Sequence, residues 1–285
     1  MTTNVIPAGT GDTGPGAVPP PPSGTPARRR PHTALLGFAG LAGLLLVIEV
    51  LPHTGLVSAR FLPPSSQIMV ALAEQLGEAE FWTALGNTLI AWAIGLAIAV
   101  VAGIVVGVLI GAVPVLRSIT SSTIEFLRPI PSVALIPLAV LLYGTEIQST
   151  LLLVVYAAFW QVLLQVLYGV QDVDPVADET ARSYGLGTWA RIRHVMWPTA
   201  LPYVMTGVRL AAGVALVLAI TAQLVIGSPG LGSLISRALA SNAVPAMYAL
   251  VVVTGILGVA INLAARATER RILSWHSSMR SEVVA

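Results

Sequence analysis

Long apolar runs, separated by short polar segments, extend along most of this chain. The first run covers residues 34–51, which is about the length that a helix needs to cross a hydrocarbon core of roughly 30 Å. Five further runs of comparable length follow it, at residues 83–112, 119–143, 149–170, 203–226 and 246–265. The pattern therefore predicts an all-α polytopic membrane protein with six transmembrane helices.

A segment of mixed polarity at residues 52–81 separates the first two apolar runs. Its apolar residues Ile68, Leu72 and Leu76 recur at helical spacing, with glutamates between and beyond them. This pattern is typical of an amphipathic helix on a surface. We expect this helix on the outer face of the membrane.

The third apolar run is interrupted near its middle. Arg128 is followed by Pro129 and Pro131, and Pro137 comes later in the same run. Pro removes a backbone donor and kinks a helix, and a break at membrane depth is tolerated only where protein or a water-filled cavity satisfies the backbone. We therefore expect a broken helix that faces the protein interior.

Four glycines of the second run, Gly95, Gly103, Gly107 and Gly111, are separated by multiples of four residues. Small residues at this spacing let helices approach closely in a membrane. We therefore predict that these glycines pack the second helix against a neighbour.

The arginines predict how the chain is oriented in the membrane. Three consecutive arginines at residues 28–30 precede the first run, and such clusters stay in the cytoplasm. Only Arg60 and Arg237 fall in segments predicted to lie outside, whereas the other thirteen lie in or next to cytoplasmic segments. We therefore expect cytoplasmic N- and C-termini. A cleaved signal peptide is the alternative for the first run, although Glu49 interrupts the run and a long tail precedes it.

The chain divides into four predicted regions. Residues 1–33 are rich in Pro, Gly, Thr and Ser, so they have little to bury and are predicted to form a disordered cytoplasmic tail. Residues 34–80 contain the first transmembrane helix and an extracytoplasmic segment, and residues 81–265 form the main transmembrane domain. That domain includes a cytoplasmic loop at about 171–200, and residues 266–285 form a cytoplasmic C-terminal tail.

The composition excludes several classes of function. Only 10% of the residues are charged and 55% are hydrophobic, whereas about 25% are charged in a typical soluble protein. All fifteen basic residues are Arg, and a chain without Lys cannot form a Walker A loop of its own. Because Cys is absent and the four histidines lack ligand spacing, we expect no metal, cofactor or catalytic residue. The net charge of +2 comes from Arg at membrane edges, so we expect no nucleic-acid partner.

The cytoplasmic loop contains the signals of a short, well-defined helix. Asp174 is a natural N-cap, and Pro175 suits the first helical position. Asp178 and Glu179 place negative charge near the positive end of the helix dipole. Gly185 is a natural stop, because it tolerates the left-handed conformation that often ends helices.

One face of this predicted helix presents small and medium side chains. Val176, Thr180 and Tyr184 follow one another at intervals of four residues, with Ala177 and Ala181 beside them. A second segment at residues 189–197 follows, which we expect Thr188 to cap and Pro198 to end. It has an apolar and a basic side, and we expect it to lie along the membrane interface.

The loop resembles the EAA loop of bacterial ABC importer permeases, a pattern written EAA, three residues, G, nine residues, I-x-LP. The matching residues here are Glu179, Thr180, Ala181, Gly185, Val195, Trp197 and Pro198. The spacing matches throughout, and the identities differ at Thr180, Val195 and Trp197. Residues 125–138, 207–209 and 230–232 further resemble the nitrate, sulfonate and taurine permease subfamily. The resemblance covers about residues 81–265.

This resemblance implies a fold like that of type I ABC importer permeases, in a homodimer in the bacterial inner membrane. It implies that the loop is a coupling element that docks on cytoplasmic ATPase subunits. The implied coupling residues are Val176, Asp178, Glu179, Thr180, Ala181, Tyr184 and Gly185. An extracytoplasmic solute-binding protein would deliver a small solute such as a sulfonate, nitrate or a related anion. A stand-alone secondary transporter or channel is the alternative, although no clear internal repeat supports it.

Polar residues within the predicted spans are candidates for the pathway or for helix pairing, namely Glu125, Arg128, Gln161, Gln165 and Gln223. Arg128 could attract an anionic substrate, but we favour an ion pair with Glu125, which lies three residues earlier on the same helical face. We expect Gln161 and Gln165 to tie helices together by hydrogen bonds. Gln223 stands where relatives commonly have Glu, which weakens the case for a charged role there.

Overall fold

A computed structural model of the chain describes residues 32–274, and all regular structure in that range is helical. This confirms the predicted all-α class. The predicted N-terminal tail lies outside the described residues except for its last two positions. Residues 275–285 of the predicted C-terminal tail also lie outside them.

Eleven α-helices make up the described part of the chain. They are α1 (His32–His53), α2 (Ser65–Gly77), α3 (Ala79–Ala112), α4 (Pro114–Leu127), α5 (Ile136–Tyr143), α6 (Ile147–Gln171), α7 (Pro175–Ser183), α8 (Thr188–Arg191), α9 (Trp197–Ile226), α10 (Leu231–Ala240) and α11 (Val244–Ile272). A 3₁₀ turn at Ser132–Leu135 precedes α5, and a π turn at Ile192–Met196 joins α8 to α9.

Five helices within residues 32–274 are long and apolar enough to cross a membrane, and α4 and α5 form a bent pair that has the length and composition of a sixth span if it is counted as one. The predicted six spans are therefore confirmed when the broken pair counts as one. The last span is longer than predicted, because α11 continues to Ile272.

The third span is broken where the prolines predicted it, and its two halves are bent by 82°. The expectation that this span faces the protein interior is wrong for α4 in the single chain. None of the residues of α4 is buried, and Ile119 and Phe126 expose 68% and 74% of their area. Ala139 of α5 is fully buried, whereas α4 meets the bundle near its end, where Ile124 and Leu127 pack against α3 and α6.

The core of the bundle is built by α6, which packs between α3 and α9. The predicted packing role of the α3 glycines is confirmed. A Cβ atom added at Gly103 would lie 2.8 Å from the Val162 side chain, and one at Gly107 would lie 2.7 Å from Val166. Each valine of α6 therefore fills the space that a glycine of α3 leaves.

The predicted amphipathic helix is confirmed as α2, which buries Ile68 against Ala249 of α11. Glu49 of α1 binds the first turn of α2. The Glu49 carboxylate accepts hydrogen bonds from the Ser66 backbone N–H at 2.8 Å and from the Ser65 hydroxyl at 2.8 Å. A carboxylate at a helix N-terminus satisfies donors that have no partner within the helix, so Glu49 fastens α1 to α2.

Candidate functional site

The loop between α6 and α9 begins with a capped helix, as predicted. The Asp174 side chain accepts a hydrogen bond from the Val176 backbone N–H at 2.9 Å, and Pro175 is the first residue of α7. Both features fix the start of the helix, because the cap satisfies a free N–H and the proline presets the helical φ angle.

The end of α7 is also fixed by local structure, and the predicted stop at Gly185 is confirmed. Gly185 has a φ of +77°. Its N–H donates to the Arg182 carbonyl at 2.9 Å, and the Leu186 N–H donates to the Ala181 carbonyl at 3.0 Å. These two bonds form a Schellman motif, which requires a residue with a left-handed backbone at this position.

Asp178 joins α7 to α8 through two arginines. Its Oδ1 accepts a hydrogen bond from Arg191 Nε at 2.7 Å, and its Oδ2 accepts one from Arg191 Nη2 at 2.7 Å. Arg182 Nη2 also donates to Oδ2, at 2.8 Å. The hydrogen bonds from Arg191 are the largest cause that lowers the pKa of Asp178 below its ordinary value. Asp178 was predicted to interact with the helix dipole and to be one of the coupling residues, but its contact with Arg191 was not predicted from the sequence.

The predicted surface of α7 is largely present. Val176 and Tyr184 expose 68% and 82% of their area. Thr180 and Glu179 are exposed as well, and the Thr180 hydroxyl donates to the Val176 carbonyl at 2.7 Å. Ala181 is the exception, because it is buried and belongs to the inner side of the helix.

Two expectations about the second segment of the loop are wrong. Thr188 does not cap α8, since Gly187 takes the N-cap position and no side-chain hydrogen bond caps the helix. The segment also does not end at Pro198, because α8, the π turn and α9 form one helix from Thr188 to Ile226. Pro198 has no N–H to donate to the carbonyl four residues earlier, and the wide π turn directly before it accommodates the missing bond.

The predicted ion pair between Glu125 and Arg128 is not among the salt bridges of residues 32–274. Both side chains are exposed and line a groove of about 600 Å³ between α4 and α6, together with Arg117. The reason is solvent access, because an exposed ion pair gains little against water.

The expected hydrogen bonds of Gln161 and Gln165 to other helices are also missing from the described part of the chain. Both residues are partly buried in α6. A Cβ atom added at Gly207 of α9 would lie 2.9 Å from the Gln165 Cβ. The methylene groups of Gln165 therefore pack against a glycine, and its amide does not tie the helices.

Gln223 connects three helices. Its Oε1 accepts a hydrogen bond from the Thr88 hydroxyl at 2.8 Å and one from the Gly232 N–H at 3.3 Å. The Leu231 N–H in turn donates to the Thr88 Oγ1 at 2.9 Å. Gln223 is 1% exposed. It therefore pairs α9 with α3 and α10 instead of lining an open pathway in the single chain.

An ion pair within the bundle was missed by the sequence analysis. Arg209 of α9 donates from Nη1 to Glu269 Oε2 of α11 at 3.0 Å. The sequence does contain an indication of this ion pair. Arg209 lies inside the apolar run 203–226, and an ionisable residue within a span is a functional candidate.

Comparison with known proteins shows clear relatives. Residues 99–274 match the family described as binding-protein-dependent transport system inner membrane component. The taurine transport system permease protein TauC of Escherichia coli strain K12 is 32% identical over 250 residues, which cover 86% of this chain and 91% of TauC. SsuC of the same strain, described as an aliphatic sulfonates transport permease, is 30% identical over 234 residues, which cover 82% of this chain and 89% of SsuC.

Among solved structures, the inward-facing MetNI methionine ABC transporter is similar, with a TM-score of 0.57. It is 21% identical, and the match covers 65% of this chain and 93% of that one. At this identity the likeness shows the fold alone.

Proposed function

Because this chain belongs to the family of binding-protein-dependent transport system inner membrane components, we propose that its loop at residues 171–200 couples a membrane pathway to separate ATPase subunits. The chain is thus a permease of the ABC importer type. This family does not fit the alternative of a stand-alone secondary transporter or channel. The single observation that supports the coupling role is the pair of hydrogen bonds between Asp178 and Arg191.

These hydrogen bonds make the loop mechanically continuous with a membrane span. Asp178 belongs to α7, and Arg191 belongs to the helix that runs without interruption from Thr188 to Ile226. Caps at both ends keep α7 rigid. A displacement of α7 by an ATPase subunit would therefore move α9, which packs against α6 in the core.

The exposed side of α7 is the proposed docking surface. Val176 and Tyr184 expose most of their area, although polar side chains would be more favourable at positions in contact with water. A groove on an ATPase subunit would bury these side chains and the neighbouring Thr180. Glu179 would lie at the edge of the contact.

The proposed cargo is a small anion of the sulfonate or nitrate type, delivered by an extracytoplasmic solute-binding protein. The relatives TauC and SsuC support this class, because their names assign them to taurine and aliphatic sulfonates. We propose that both termini lie in the cytoplasm of a bacterial cell, with the spans in its inner membrane. An even number of spans puts both termini on one side, and the arginines near the N-terminus mark that side as cytoplasmic.

The proposed assembly is a homodimer. The apolar surface of α4, including Ile119 and Phe126, has no cover from its own chain. A second copy would enclose this surface and the adjoining groove that contains Glu125 and Arg128. We therefore propose that these two residues lie along a central pathway between the copies.

Co-purification from native membranes tests this function. A tagged chain should recover a separate subunit that contains a Walker A sequence, identified by mass spectrometry, together with ATP hydrolysis. Recovery of a folded chain that transports solute with no such subunit would contradict the proposal.

A further inference from the structure

A second groove lies between α9 and α11, on a different side of α9 from the core contacts with α6. It encloses about 500 Å³, which is within the range of ordinary small-molecule sites. Gly213 and Gly255 line it, and a Cβ atom added at either position would meet nothing within 4 Å. The groove therefore has open space where the two helices face one another.

The groove has one cationic side chain in its lining, Arg209, which is paired with Glu269 outside the lining. Arg209 is the only ionisable side chain among the residues that line it. A guanidinium has five N–H donors, and among the described residues Arg209 gives one of them to an acceptor, Glu269 Oε2. The Arg209 side chain is 35% exposed, so its remaining donors are not enclosed by the protein. The unused donors of Arg209 are therefore available to an anion.

The rest of the lining is mainly apolar, with one further exposed polar group. Leu216, Val217 and Ile261 contribute apolar surface, and Asn262 is exposed in the groove. The Asn262 amide has no hydrogen-bond partner within the described part of the chain. Asn262 lies two helical turns before Glu269 along α11, which is about 10 Å at 1.5 Å per residue. The groove thus has a cationic end and, about 10 Å further along, an apolar stretch with a polar group beside it.

We propose that this groove is a substrate site for a short aliphatic sulfonate, with Arg209 as its anion-binding residue. The sulfonate oxygens accept hydrogen bonds from Arg209, and the aliphatic body lies against Leu216 and Val217. Glu269 neutralises Arg209 while the groove is empty. This inference rests on the proposed function, and it assigns the anion to Arg209 instead of to Arg128.

A cysteine placed in the groove tests binding without the solute-binding protein. The chain contains no Cys, so Gly213→Cys introduces a single thiol at a position with open space. In the purified complex with its ATPase, a charged, membrane-impermeant thiol reagent should label this thiol. Butanesulfonate should slow the labelling several-fold, and the uncharged butanol should not. Adding Arg209→Gln should abolish the protection.

Three outcomes of the labelling would overturn the proposal. Butanesulfonate could fail to protect the thiol, which would show that no sulfonate binds there. The thiol could react only with lipid-soluble reagents, which would show that the groove faces acyl chains. Two copies could form a disulfide through this position, which would show that the groove is a contact between protomers.

Uptake by the complete transporter in liposomes separates this site from the proposed function. If the wild type shows no ATP-driven uptake of any anion, the proposed function fails. If it transports and Arg209→Gln transports equally well, only the inference fails. We expect Arg209→Gln to lower sulfonate uptake about tenfold or more, which is the size expected for losing a hydrogen bond to a charged group. Association with the ATPase should remain unchanged.

Changes at Glu269 distinguish anion binding from a structural role of the ion pair. Glu269→Gln should retain most uptake, because Arg209 stays in place. The double variant with Arg209→Gln should remain as impaired as Arg209→Gln alone. Recovery in the double variant would contradict the inference. Arg237→Gln is the matched control, because Arg237 forms an exposed ion pair with Glu80 outside the groove, and uptake should not change.

Discussion

Asp178 binds two arginines at similar distances, but the two partners differ in exposure. The Arg191 side chain is 22% exposed, whereas the Arg182 side chain is 63% exposed. Water screens exposed ion pairs. The contact with Arg191 should therefore hold the loop more strongly than the contact with Arg182, and the two partners form a matched comparison around one carboxylate.

We expect Arg191→Gln to release α7 from α8 at a cost of about 1.5–3 kcal/mol, the usual range for hydrogen bonds to charged groups. Arg182→Gln should cost less than about 1 kcal/mol, as exposed pairs do. Hydrogen exchange of the α7 amides measures both effects. Equal protection of the α7 amides in the two variants would show that the exposure of the arginine does not determine how strongly it holds the loop.

The lowered pKa of Asp178 gives the loop a defined dependence on pH. The carboxylate is favoured in the folded loop, so its contribution is fully present above the unfolded pKa of about 3.9. It is lost as the pH falls through the lower folded pKa. The protection of α7 should thus stay constant from about pH 8 to pH 5 and fall below about pH 4. Asp178→Asn should remove this fall in protection at low pH. A loss of protection near neutral pH would contradict the prediction, because it would require another titrating group.

At the scale of elements, α7 depends on the left-handed residue that ends it. Gly185 has a φ of +77°, and a β-branched residue tolerates this conformation poorly. Gly185→Val should therefore weaken both ATPase association and transport, although the protein still inserts in the membrane. Gly227→Val is the matched control, because Gly227 has a φ of +81° at the end of α9 and has equal space around it. A Gly185→Val variant with normal transport would contradict the role of α7.

The contact between α3 and α6 leaves little free space at its glycines. Gly103→Ala places a Cβ atom 2.8 Å from the Val162 side chain, and overpacking of this kind typically costs about 1–3 kcal/mol. We expect a lower midpoint of thermal unfolding in detergent, and partial recovery when Val162→Ala is added. Gly86→Ala in the same helix is the control, because nothing lies within 4 Å of a Cβ atom there. A double variant that is no more stable than Gly103→Ala would refute this packing.

Local signals in the sequence predicted these elements well. The cap at Asp174, the stop at Gly185 and the break near Pro131 each depend on residues within one or two turns. Contacts between distant residues could not be predicted in this way. The pairing of Arg209 with Glu269 depends on how α9 packs on α11, and residue spacing does not determine that packing.

The same limit explains the incorrect predictions. Glu125 and Arg128 have the spacing of an ion pair, but they form none because both are exposed in a groove. Gln165 meets a glycine of another helix, which no local pattern indicates. The continuation through Pro198 also escaped prediction, because a π turn has no clear sequence signal.

At the scale of the whole molecule, the helix from Thr188 to Ile226 connects the loop with the core. Its N-terminal end is joined to α7 through Arg191, and its C-terminal end is joined to α3 and α10 through Gln223. Under the proposed function, a force applied to α7 would be transmitted along α9 to the opposite end of the bundle. This continuity is the physical basis of the proposed coupling.

The most direct test is a photo-crosslink from the proposed docking surface. Tyr184 is 82% exposed, so benzoylphenylalanine can replace it without disturbing the core. Illumination of membranes that contain the whole transporter should join this position to a subunit with a Walker A sequence. Benzoylphenylalanine at Phe61, which is 71% exposed in the segment between α1 and α2, should give no such product. A transporting complex that crosslinks the ATPase from Phe61, or from neither position, would contradict the account.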